Sequence, residues 1–164
     1  MAPHYNVLFL DSGNSARSIF AEAILSRKGG SNFTAFSAGA HPRGQIHPRG
    51  LAYLQRAGLH TAGLHSKSWD EFAKPGAPAM DFVFTLCDKA RREPCPVWHG
   101  HPVTGHWSIP DPSAATGTPE EIEFAFADAF TMLERRISLF LALPFPKLEQ
   151  IALGRGKKQR AAAG

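Results

Sequence analysis

Seven consecutive residues, Asp11-Ser-Gly-Asn-Ser-Ala-Arg17, have the types and spacing of a device that holds a tetrahedral oxyanion. They follow an apolar strand pattern, Val7–Leu10, and run into an amphipathic helix pattern from Ile19 to Leu25. A tight loop of small residues at a strand end turns successive backbone N–H groups inward. The helix that follows adds the positive end of its dipole. Arg17 supplies a planar fork of donors suited to an oxyanion. Gly13 permits close backbone approach and Asn14 tolerates a left-handed backbone. Ser12, Ser15, Ala16 and Ser18 are small enough to leave the cradle open. The ordinary alternative is a βα turn with a surface arginine.

The elements that position this loop read as alternating strands and helices. Val7–Leu10 is continuously apolar, as a strand buried on both faces must be. A helix is predicted over Ala16–Lys28, stopped by Gly29 and Gly30. A second strand follows at Phe33–Ser37. A second helix spans His47–Ala57, with Pro48 in its first turn. A short helix falls at Lys67–Phe72, and a third strand at Met80–Leu86. Residues 87–104 read as loop, and a short fourth strand is predicted at Gly105–Ile109. Thr118-Pro-Glu-Glu121 is a capping box opening the last helix, whose Ile122, Phe126, Ala129, Phe130, Leu133, Ile137 and Leu141 repeat at helical spacing up to Leu143-Pro144. Such alternation predicts an α/β, three-layer sandwich with a four-stranded parallel sheet. Ligands of such sheets sit beyond the carboxyl ends of the strands. That rule brings together Asp11–Arg17, Cys87–Cys95 and Pro110-Asp111-Pro112.

Length and composition narrow the class. The 164 residues suit one domain with a proper core. No apolar run approaches the roughly 20 residues of a membrane span. Two cysteines, Cys87 and Cys95, do not make a secreted disulfide framework, so a cytoplasmic location is expected. The net charge of +4 resides in residues 145–164, a basic tail after a domain at 1–144. The simplest reading of that tail is a solvated, flexible end rather than a nucleic-acid contact. His99, His101 and His106 lack the partners and spacing of a metal site, so no metal and no bound cofactor are expected. Trp69, Trp98 and Trp107 read as core or pocket walls.

The loop sequence resembles the phosphate loop of low-molecular-weight protein tyrosine phosphatases, and more closely that of the arsenate reductases built on the same fold. Ser37-Ala-Gly39, Ser66-Lys-Ser-Trp-Asp-Glu-Phe72, Phe84-Thr-Leu-Cys-Asp88, Cys95-Pro-Val-Trp98 and His106-Trp-Ser-Ile-Pro-Asp-Pro112 match the reductase branch. The resemblance covers residues 5–144. It implies thiol-dependent reduction of arsenate to arsenite, with arsenate, phosphate or sulfate as the bound oxyanion. It also implies an external thiol reductant: thioredoxin, glutaredoxin with glutathione, or mycothiol. Ser12 to Ser18 would cradle the oxyanion with Arg17, and Ser18 would hydrogen-bond the nucleophile. Asp111 would be the general acid. Cys87 and Cys95 would be the second and third cysteines, which pass the oxidation on as a disulfide. Lys89, Arg91 and Arg92 put positive charge between them.

The family places a nucleophilic cysteine where this chain has Asp11. A carboxylate still accepts loop N–H bonds, and the dipole, the amides and Arg17 are expected to lower its pKa. It cannot form a sulfur–arsenic bond. An ionised Asp11 would also repel an oxyanion at roughly 4 Å by about 4 kcal/mol at an effective dielectric near 20. The expectation is an inactive or impaired reductase. The alternatives are a tyrosine phosphatase, a non-catalytic oxyanion- or partner-binding protein, and an aspartyl phosphoryl acceptor, the last lacking a carboxylate cluster for magnesium.

Overall fold

A computed structural model of the chain describes residues 3–144 and residue 147. Apart from Lys147, the expected tail at 145–164 lies outside the described residues. Four parallel strands form one sheet: β1 (Tyr5–Asp11), β2 (Phe33–Gly39), β3 (Phe82–Thr85) and β4 (Val103–His106), in the order β2-β1-β3-β4. The continuous apolar run of β1 follows from its place. It is hydrogen-bonded on both edges and covered on both faces.

One face carries the larger core. Val7 and Phe9 pack there with Phe20 and Ile24 of α1 (Arg17–Lys28), Leu54 of α2 (Pro48–Arg56), and Phe126, Leu133 and Ile137 of α4 (Pro119–Leu141). The opposite face is thinner. Leu8 and Leu10 meet Trp69 and Phe72 of a short 3-10 turn, together with Met80, Val83 and Trp98. Trp69 and Trp98 meet edge to face at 6.2 Å, as walls of this second core. No described helix is long and apolar enough to cross a membrane.

The strongest local signals place their elements closely. Thr118 caps α4 reciprocally with Glu121, and Pro119 occupies the first helical position. α1 stops at Gly29, where a Cβ would stand 2.8 Å from both Leu25 O and Phe33 Cβ, so the chain can enter β2 only without a side chain there. Two readings need correction. Residues 87–104 are not all loop, because α3 (Asp88–Arg92) forms with the Cys87 sulfur accepting the Ala90 N–H at 3.4 Å. β4 also begins at Val103, earlier than expected: Phe82 and Val103 set the register, and Gly105 lies against the Phe84 ring, where a Cβ would come within 2.8 Å.

Candidate oxyanion site

The loop between β1 and α1 is shaped from outside. Ala40, His41, Arg43 and His47 donate their backbone N–H groups to the carbonyls of Asp11, Ser12, Gly13 and Ser15 at 3.1, 2.8, 3.0 and 2.9 Å. The loop's carbonyls are thereby held by residues 40–47. The amides of Ser12, Gly13, Ser15 and Ala16 have no acceptor among the described residues. Asn14 has φ of 45°, the left-handed backbone that its side chain tolerates.

A buried polar network holds that turn. Asn14 Nδ2 donates to Ser18 Oγ at 2.7 Å and to Ser37 Oγ at 3.1 Å. Its Oδ1 accepts the Lys67 N–H at 2.9 Å. The Ser37 hydroxyl donates to Glu22 Oε1 at 2.6 Å, and Lys67 Nζ lies 3.8 Å from the same oxygen. Burial pushes the Lys67 ammonium below its ordinary pKa, and Glu22 opposes that shift. Gly39 seats the loop against β2: a Cβ there would stand 2.7 Å from Ser12 O and 2.9 Å from Asn14 N.

Asp11 ends β1 beneath the loop and is only 2 % exposed. Its Oδ1 accepts the Asn14 N–H at 2.7 Å and its Oδ2 accepts the Ser18 N–H at 3.0 Å. Ala16 offers no side-chain cap to α1, so Asp11 takes the cap's place from within the loop. The expected fall in its pKa is reversed. Burial raises it, and this outweighs the Ser18 and Asn14 amides and the Arg17 charge, which all act downward.

Arg17, the first residue of α1, is buried and spans the cleft. Its Nε lies 4.0 Å from Asp11 Oδ2, its Nη2 lies 3.6 Å from Asp111 Oδ2, and Nη1 donates to Ile109 O at 3.1 Å. The other oxygen of Asp111 accepts from Ser113 N and Oγ at 3.0 and 2.7 Å, which fixes that carboxylate at the start of a 3-10 turn. The cleft between these groups measures about 240 Å³ and is lined by Asp11, Ser12, Gly13, Ser15, Ala16, Arg17 and Asp111.

The fold therefore brings the first and fourth strand ends together as the topology predicts, with Asn14 and Ser18 beneath the wall. The third strand end joins them through Lys89, which lines the same cleft, but its two cysteines lie elsewhere. Cys87 is buried at the cap of α3, and Cys95 is exposed and lines a separate cavity with Thr85, Arg91 and His106. Both are free thiols, and neither lines the oxyanion cleft. His106 is held between Thr85 Oγ1 at 2.7 Å and Asp88 Oδ1 at 3.0 Å. Two wall residues, His41 and Arg43, escaped the sequence reading, and Lys89 was expected only as charge beside the cysteines. His41 and Arg43 sit in an exposed turn with no motif of their own.

The model of the low molecular weight phosphotyrosine protein phosphatase family matches residues 6–151. The chain belongs to that family. Within it, the chain is 30% identical over 134 residues to an arsenate reductase of Oceanobacillus iheyensis, covering 82% of this chain and 93% of that one. A solved arsenate reductase in its oxidized state superposes with a TM-score of 0.68 at 22% identity, covering 88% of this chain and 98% of the other. A thioredoxin-dependent arsenate reductase of Corynebacterium glutamicum superposes with a TM-score of 0.58 at 23% identity, covering 86% of this chain and 64% of that one. The four-stranded parallel sheet and its helices are thus those of the phosphatase family, whose arsenate reductases are this chain's sequence relatives.

Proposed function

We propose that this family member binds arsenate, phosphate or sulfate between loop 11–17, Arg17 and Asp111, on a scaffold of the arsenate reductase type, and that its covalent step is lost or severely impaired. The observation that carries the reading is the loop's polarity. The carbonyls of Asp11, Ser12, Gly13 and Ser15 are taken by residues 40–47, and Ser12, Gly13, Ser15 and Ala16, whose amides have no acceptor among the described residues, line one cleft with Arg17. Asp11 stands where the resemblance places the nucleophilic sulfur. A carboxyl there keeps the Asn14 and Ser18 amides occupied and offers no soft nucleophile to arsenic.

In a form carrying the thiol, the sulfur would attack arsenic and Asp111 would protonate the departing oxygen. Cys87 would then attack the sulfur of the adduct to release arsenite, and Cys95 would take over the disulfide for an external thiol reductant. Thioredoxin, glutaredoxin with glutathione, and mycothiol are the reductant classes to test, in a cytoplasmic setting. Supporting the coupling are the two free thiols on either side of α3 and the thioredoxin dependence of the Corynebacterium relative.

The test is arsenate turnover with each reductant system, on this chain and on Asp11→Cys. Little or no turnover by the unchanged chain and clear turnover by Asp11→Cys are expected. Robust turnover by the unchanged chain would refute the impairment. Failure of Asp11→Cys in every system, with hydrolysis of an aryl phosphate instead, would move the reading to a phosphatase. The Ser113-Ala-Ala115 segment after the Asp-Pro pair supplies no aromatic shelf for a phosphotyrosine. A third reading, a non-catalytic oxyanion-binding protein, is favoured by the burial of Asp11 and would be supported by tight reversible binding with no rescue by cysteine.

A further inference from the structure

The oxyanion loop does not account for the whole cleft. Five water-sized atoms at about 30 Å³ each fill at most roughly 150 Å³, whereas the cleft measures about 240 Å³. The remaining wall is His41, Arg43 and Lys89. Arg43 is seated by two separate contacts. Its N–H donates to Gly13 O at 3.0 Å. Its stem lies over Gly13, with Nε and Cγ only 3.1 and 3.3 Å from where a Cβ would stand. The missing side chain of Gly13 therefore makes room for Arg43 as well as for the loop. Lys89, the second residue of α3, also lines this cleft.

The charges are unevenly matched. Arg17 faces two carboxylates, Asp11 and Asp111, and His41 contacts Glu93 at 2.8 Å. Neither Arg43 nor Lys89 is in an ion pair among the described residues. Two exposed cations thus border a cleft whose inner cation is already shared between two acids.

We propose that Arg43 and Lys89 form a second anion-binding position at the cleft mouth. The preferred ligand is then a small molecule that places a phosphate-type oxyanion in loop 11–17 and a carboxylate or second phosphate a few bonds away. This rests on the reading of that loop as an oxyanion site. A planar guanidinium seated on the loop rim suits either group, since both accept paired donors. Filling the mouth also ties α3 to the loop through Lys89.

Calorimetric titration separates the two layers of the reading. Inorganic phosphate and ethyl phosphate probe the loop alone. 2-Phosphoglycolate adds a carboxylate, and ethylene glycol bisphosphate adds a second phosphate. At least one of the latter two should bind about tenfold tighter than ethyl phosphate, the size of one or two charge-assisted contacts. In Arg43→Gln/Lys89→Gln that preference should shrink to about twofold. Equal affinity for all three esters in the unchanged chain would overturn the second position, as would a preference that survives the double substitution. Phosphate binding without any preference would leave the loop reading intact, while failure of all four probes would overturn both.

Discussion

Replacing Asp11 with asparagine isolates what the buried carboxyl does to an incoming oxyanion. Both carboxyl oxygens are engaged by the loop, with Asn14 N at 2.7 Å and Ser18 N at 3.0 Å, so an oxyanion seated on the same loop meets like charge at short range. At roughly 4 Å and an effective dielectric near 20 the repulsion is about 4 kcal/mol, close to a thousandfold in affinity. The protein has a less costly escape. Each pH unit above the carboxyl's own pKa costs about 1.4 kcal/mol of proton uptake, and burial has already raised that pKa. Sulfate, which keeps its charge across neutral pH, should therefore bind up to about tenfold tighter per unit fall in pH, until Asp11 is protonated in the free protein. Asp11→Asn should abolish that component.

The same substitution has a cost, because the amide nitrogen of asparagine cannot accept. Either the Asn14 or the Ser18 N–H loses its buried acceptor, for about 1–3 kcal/mol. The linkage sign sets where this shows. A carboxyl whose folded pKa lies above its unfolded value binds more protons in the native state. Stability then falls as pH rises from the ordinary carboxylate range to the raised value. The unchanged chain should exceed Asp11→Asn in melting temperature most at acid pH, with the gap narrowing toward neutrality. Calorimetric sulfate titrations from pH 5 to pH 8, paired with thermal melts, read both effects. A sulfate affinity whose pH slope is the same in both proteins would refute the competition between Asp11 and the oxyanion.

Two further substitutions probe the frame around the carboxyl. Arg17→Lys loses the Ile109 contact and the fork facing Asp111, so sulfate affinity should fall roughly 10- to 100-fold in the same titration; unchanged affinity would mean that the main-chain donors suffice. Gly39→Ala drives a Cβ to 2.7 and 2.9 Å from the backbone of Ser12 and Asn14. It should cost about 1–3 kcal/mol in thermal or denaturant unfolding and weaken oxyanion binding together with it. Wild-type behaviour on both counts would contradict the close seating of the loop on β2.

The sequence by itself carried every feature written in local chemistry. The apolar run of β1, the small residues of loop 12–16, the left-handed tolerance of Asn14 and the Thr118–Glu121 cap are properties of a few adjacent residues. They suffice for an alternating α/β chain with an oxyanion loop at the end of its first strand. Tertiary structure decided what depends on neighbours distant in the chain. α3 is too short and too charged to show a periodicity, and it forms around the Cys87 cap. The Asn14–Ser37–Glu22–Lys67 network draws on β1's loop, β2, α1 and the segment before the Trp69 turn. Arg43 and Lys89 become cleft walls only because an exposed turn and α3 are folded over the loop. Most telling is Asp11, whose nearest partners in sequence all favour its charged form. The core closing around it removes water, and that loss of solvation, which no local pattern encodes, outweighs them and reverses the sign of its shift.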